Sequence, residues 1–142
     1  MTEEQIALVQ KSFADVVPIA EDAAAIFYDQ LFKIAPQTRP LFKGDMREQG
    51  RKLMGMLATV VNGLHKLDTI LPAARALATR HVQYGVTADH YAPVGEALIA
   101  TLRAGLGASF DPKTEDAWRA AYAALSNVMI DAAYPQRTPT AA

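Results

Sequence analysis

The sequence predicts an all-α fold, and three observations predict it. Stretch after stretch sets its apolar residues three and four positions apart, the spacing that places them on one face of a helix. The breaks between these stretches fall at proline and glycine, which stop helices for opposite reasons: one lacks a donor, the other has too much freedom. No stretch alternates apolar and polar residues as a half-buried strand requires. At 142 residues the chain is the size of one domain. A domain of that size buries roughly 70% of its unfolded surface, enough for a core without staples.

The elements follow in order. Thr2 and Gln5 have the spacing of a capping box, and Ile6, Val9, Phe13, Val16 and Val17 form the stripe behind it. Pro18 bends or ends that helix. A second helix carries Ala23, Ile26, Phe27, Leu31 and Ile34 and stops before Pro36. PQTRPLF, with two prolines, is at most a short turn that delivers Leu41 and Phe42 inward, and Lys43 and Gly44 make the corner. Asp45 and Glu48 start a third helix through Gln49, Leu53, Leu57, Val60 and Leu64. Gly50, Gly55 and Gly63 cost it about 1 kcal/mol each relative to alanine, tolerable where a neighbouring helix or a flat ligand comes close. A shorter helix is expected around Pro72 to Tyr84, with Gly85 as its stop. Thr87 to Asp89 start the next, with Tyr91, Val94, Leu98, Leu102 and Leu106 on its stripe and Gly107 closing it. Asp111 and Pro112 cap a last helix bearing Ala117, Trp118, Ala121, Leu125, Val128 and Met129, which Pro135 ends. The expected division is one domain over residues 1–134 and a disordered tail over 135–142.

Composition narrows the function. Lys+Arg 14 against Asp+Glu 15 give a net charge of -1, no signature of a nucleic-acid or anionic-membrane partner. The absence of cysteine removes disulfides, thiolate catalysis, Zn-Cys sites and haem held through a cysteine thiolate or thioether link, so redox chemistry must come from a cofactor. The start, MTEEQIALVQKS, lacks the layout of a signal peptide, and no apolar run reaches about 18 residues, so a cytoplasmic protein with no membrane span is expected. There is no GxGxxG, P-loop, HExxH or GxSxG. The carboxylate pairs Glu3/Glu4, Glu21/Asp22 and Glu115/Asp116 sit at helix starts, where they favour the dipole.

That leaves a small set of residues able to carry chemistry. His81, one turn below Leu77 on an apolar stripe, is either a structural histidine or an axial ligand to iron. Arg80 beside it suits a carboxylate at the edge of a cofactor. Tyr28 is either a core tyrosine or a hydroxyl aimed at a pocket, and Gln49 either a solvated first-turn residue or a polar gate. Leu53 follows Gln49 by one turn on the same face. His65 and His90 are out of phase with the apolar stripes and read as exposed. Tyr91, Val94, Trp118 and Tyr122 read as core, and Arg47, Arg51 and Lys52 as a solvated face from which Arg51 or Lys52 can reach a propionate.

Taken together, FYDQLF (27–32), RPLF (39–42), the Gln49–Leu53 helix start, RHVQYGV (80–86), HYAPVGEALI (90–99) and AWRAAY (117–122) resemble a bacterial single-domain haemoglobin related to the globin part of flavohaemoglobins, over residues 3–134. The resemblance implies a globin fold, three helices crossing three around one b-type haem. It makes His81 the proximal iron ligand, Phe42 the ring against the porphyrin and Tyr28 the distal hydroxyl. Gln49 becomes the gate and Leu53 the wall over the iron. Leu57, Leu77, Val86, Tyr91 and Val94 join the cofactor's lining, and Arg80 faces a propionate. The implied activity is reversible O2 binding, with NO dioxygenation through a separate electron-donating reductase as the alternative; O2, NO and CO are the expected ligands, and the state a monomer or homodimer. Relatives of this kind often carry a glutamate against the proximal histidine, where this sequence has Ala133 with Asp131 as the nearest carboxylate. No flavin or nicotinamide motif follows, so electrons are expected from another protein.

Overall fold

The structure, a computed structural model, describes residues 1–83 and 85–133, with the side chain of residue 67 left aside. Among these residues there are six α-helices and no strand: α1 (Glu3–Val16), α2 (Ala20–Ile34), α3 (Met46–Asn62), α4 (Leu67–Gln83), α5 (Tyr91–Leu106) and α6 (Pro112–Ala133). The expected stop at Pro135 and the tail over 135–142 lie outside the described residues.

The caps form as the residue types require. The Thr2 hydroxyl accepts from the Gln5 backbone while the Gln5 amide oxygen accepts from Thr2, closing the capping box of α1. Asp45 accepts from Arg47 N–H to start α3, and Asp111 from Thr114 N–H to start α6. Pro18 does not so much end α1 as turn it through a 3-10 step, Val17–Ile19, into α2, which leaves Val17 exposed while Val16 stays buried. Pro36–Leu41 is the short 3-10 turn that its two prolines demand.

Four expectations are corrected. The fourth helix begins at Leu67, not Pro72, so Pro72 sits inside it, and the Asp68 carbonyl has no backbone donor one turn on. α3 ends at Asn62, so Leu64 lies in the following 3-10 turn, yet it remains buried. Ile34 falls off the buried stripe of α2 and is 45% exposed. Gly55 faces open space, whereas Gly50 lets α2 approach so closely that a Cβ there would lie 2.9 Å from Ala24 Cβ.

The helices form two layers over a core centred on Val9, Phe27, Leu31, Leu98 and Trp118. α2 lies across α5, α1 across α6, and α4 across α6. The Trp118 indole donates to Ser12 Oγ at 2.8 Å, which satisfies the one polar atom that this large side chain brings into the core. On the outside, Glu115 binds Arg103 and Arg119, and Arg119 reaches Glu96, lacing α5 to α6. α3 packs on α2 and α1, and α4 packs on α6. α3 and α4 are joined by the turn Leu64–Lys66, and beside it Val60 of α3 and Ile70, Leu71 and Ala74 of α4 line one cavity.

Candidate functional site

Tyr28 lies on the buried face of α2, 8% exposed, among rings. Phe27 meets it edge-on at 5.1 Å, Phe42 edge-on at 5.3 Å, and Phe32 is stacked at 6.1 Å. Phe32 and Phe42 also touch, at 5.5 Å, with the Arg39 guanidinium 5.0 Å above Phe32. The Tyr28 hydroxyl donates to the Gln49 main-chain carbonyl at 3.2 Å, across from α2 to the first turn of α3. Burial pushes its phenol up to about 12, so it is a donor throughout the neutral range. Gln49 is half-buried, more enclosed than a first-turn residue on a solvated face. Leu53, one turn further, is half-buried too; with Leu57, Phe27, Leu98 and Trp118 it lines an apolar cavity of about 20 Å³. The structure thus brings Tyr28, Phe42 and Gln49 together at the start of α3, with Leu53 and Leu57 further along the same helix.

His81 stands in the last turn of α4. Its Nδ1 lies 2.9 Å from the Leu77 carbonyl one turn earlier. A carbonyl only accepts, so the Nδ1 carries the proton and, in the neutral ring, the lone pair is on Nε2. Burial lowers the imidazole pKa; the bond to Leu77 opposes this, and the Arg80 charge adds to it. The net direction favours the neutral ring, the form that ligates a metal. The backbone of His81 is held from below as well. Val86 N–H donates to the His81 carbonyl at 2.9 Å and Gly85 N–H to Val82 at 3.0 Å, the paired bonds of a Schellman cap. Gly85 adopts φ 93°, which a side chain resists, and a Cβ there would lie 3.2 Å from Leu41. The end of α4 and the turn that delivers Phe42 are therefore neighbours.

Leu77, Val86 and Ala133 pack around Tyr91, Met129 and Ile130 in a second apolar cluster behind His81, and the Tyr122 hydroxyl donates to the Tyr91 carbonyl. Ala133 does sit against this cluster, with Asp131 exposed. Val94 packs with the main core instead, half-buried, which sets it apart from the group around His81. Arg80 is exposed and in no carboxylate pair among the described residues. His65 is exposed, 3.6 Å from Glu3. His90, expected exposed, is half-buried because its Nδ1 accepts from Thr87 N–H at 3.0 Å as part of the cap before α5. Among the described residues no three His, Asp or Glu converge on a metal, so a ligand role rests on one imidazole. Sequence reasoning passed over Phe32 and Arg39 as site residues. Phe32 was findable, since it follows Tyr28 by four positions on the same helical face.

Residues 25–129 match the sequence profile of the globin family. The chain is 34% identical over 107 residues to a flavohemoprotein of Bordetella parapertussis, covering 73% of this chain and 27% of that protein. It is 27% identical over 138 residues to a flavohemoprotein of Vibrio cholerae, covering 92% and 34%. The chain therefore spans about a quarter to a third of the length of these relatives. In three dimensions it resembles a bacterial globin of Campylobacter jejuni, with TM-score 0.84 and 26% identity, covering 95% of this chain and 98% of that one. An engineered carbene transferase from Rhodothermus marinus, described as a "putative nitric oxide dioxygenase", matches with TM-score 0.86 and 25% identity over 96% and 95%.

Proposed function

The chain belongs to the globin family, and we propose that it holds a b-type haem between α3 and α4, with His81 as the proximal ligand, and binds O2 there reversibly. The observation that carries this reading is the His81 imidazole: neutral by burial, its Nδ1 bonded to Leu77 and its backbone clamped by the cap through Gly85 and Val86. The donor set suits an iron porphyrin. α4 offers one oriented imidazole, α2 and α3 a phenol and a carboxamide, and their neighbours are aromatic and aliphatic rather than a polyhedron of carboxylates. When bound, such a group supplies an iron atom open to diatomic ligands.

The chain's own residues would then do the following. His81 ligates through Nε2, and the Leu77 carbonyl fixes the plane of its ring. Phe42, Leu53, Leu57, Leu77, Val86, Tyr91 and Val94 exclude water. Tyr28 would donate a hydrogen bond to a polar ligand, Gln49 would close the path from solvent, and Arg80 would pair with a propionate. The test is His81→Gly, with absorption spectra in the ferric, ferrous and ferrous-CO states. Loss of haem, or haem recovered with added imidazole, is the expected outcome. Unchanged haem content with an unchanged ferrous spectrum removes His81 as the ligand.

NO dioxygenation is the second reading, favoured by the flavohemoproteins and the Rhodothermus marinus protein among the similar proteins. One NO, one O2 and one electron make one nitrate, so turnover needs a donor. Oxygenated protein mixed with NO should give one nitrate per haem and then stop, and NADH alone should not restart it. Sustained NO consumption with NADH alone would overturn the need for a separate donor.

A further inference from the structure

A nearly neutral chain hides a strong charge asymmetry. Between Lys33 and Arg80 there are nine cationic side chains and three carboxylates; the remainder has five and twelve. The first stretch is thus +6 and the rest -7, consistent with the net -1. All nine cations are exposed. Arg47 pairs with Glu21 at 3.3 Å and Arg51 with Glu48 at 3.7 Å, both pairs far out in solvent and weak. The other seven form no carboxylate pair among the described residues.

The fold gathers most of this charge at one end. Arg39 stands over Phe32, Phe32 touches Phe42, Phe42 touches Tyr28, and Tyr28 bonds to Gln49 at the start of α3. Leu41 lies against Gly85, just past the end of α4. The turn with Arg39, the corner with Lys43, the first turns of α3 with Arg51 and Lys52, and the last turn of α4 with Arg80 therefore adjoin one another. Lys33 flanks them at the end of α2. Two haem propionates would lower this stretch to +4 and leave its sign. A group of exposed cations on adjoining elements orients an approaching acidic partner before contact.

We propose that this basic end is the docking surface for the acidic face of a small one-electron donor protein. The proposal rests on the haem reading above: one electron passes from the donor to the bound haem, and no atom moves with it. Anionic lipid and nucleic acid are the competing occupants, and the -7 remainder counts against such extended polyanions.

The test uses the haem-loaded protein and reduced flavodoxin, an acidic flavoprotein, as probe. Lys33→Glu/Lys43→Glu lowers the charge of this stretch from +6 to +2 without touching the residues assigned to haem. Lys11→Glu/Lys113→Glu makes the same change in net charge elsewhere, at two exposed residues. At about 20 mM salt the first variant should be reduced at least about fivefold more slowly than wild type, the second by less than twofold, and near 0.5 M salt all three should converge. Equal slowing by both variants would leave only net charge and overturn the proposal, as would rates indifferent to salt. Tighter binding of phosphatidylserine vesicles or duplex DNA than of flavodoxin overturns it too. The haem spectrum separates the two claims. If the chain takes up no haem, the haem reading fails, and NMR titration of the same variants with flavodoxin still decides whether the surface docks.

Discussion

Tyr28 has one hydroxyl proton and gives it to the Gln49 carbonyl. A bound ligand must therefore outbid a neutral hydrogen bond worth about 0.5–1.5 kcal/mol with a charge-assisted one of about 1.5–3. At mid-range the difference is about 1.25 kcal/mol, so Tyr28→Phe should speed O2 dissociation about eightfold. CO, a poorer acceptor, should change less. Gln49→Leu should do less than Tyr28→Phe, because the Tyr28 contact is to the main chain of residue 49, which the substitution keeps. Stopped-flow rates in the reverse order would make the carboxamide the principal donor. At this scale spacing set His81 on an apolar stripe and marked it as a candidate, but left its structural and ligating tasks both open. That the Tyr28 proton goes to a backbone atom 21 positions away is a fact of helix crossing, and no local pattern encodes it.

At the scale of the element, the end of α4 matters most. The Val86 and Gly85 amides cap the helix at the turn that bears His81, and the cap depends on φ 93° at Gly85. Gly85→Ala meets both a backbone cost of about 1–2 kcal/mol and the Leu41 methyl 3.2 Å away. The melting temperature should fall by roughly 3–6 °C and haem should leave faster. Gly85→Asn, better tolerated at positive φ, should cost less; equal losses for the two would point to crowding against Leu41 as the cause. The stop at Gly85 was legible in the sequence, as were the capping box of α1 and the corner before α3, because these are local hydrogen-bond problems with local solutions. The start of α4 was not. Pro72 argues for a boundary on local grounds, but burial of Ile70 and Ala74 against neighbouring helices outweighs one lost hydrogen bond. His90 was misplaced for a related reason: its ring is drawn in to accept from Thr87.

Over the whole molecule, the helices differ in how much of their packing survives without a ligand between α3 and α4. α2 lies on α5 and α1 on α6, over a core that includes Leu31 and Val9 at 1% and 0% exposure. α4 has less to rest on. It leans chiefly on α6 through small residues such as Ala74 and Ala78, encloses a cavity of about 80 Å³ with Val60, Leu64, Leu125 and Val128, and is interrupted by Pro72. Haem bound to the folded state alone, at a thousand times its dissociation constant, adds about 4.1 kcal/mol. That stabilisation falls first on the residues that touch it. Removing haem should therefore lower the melting temperature and, before any global unfolding, raise amide exchange along α4 and the Pro36–Leu41 turn. The amides of α1, α2, α5 and α6 should keep most of their protection. Hydrogen exchange read by mass spectrometry, with and without haem, decides it. A uniform loss across all six helices would mean that the molecule opens as one unit, and that α4 is not held in place by the group its histidine is proposed to bind.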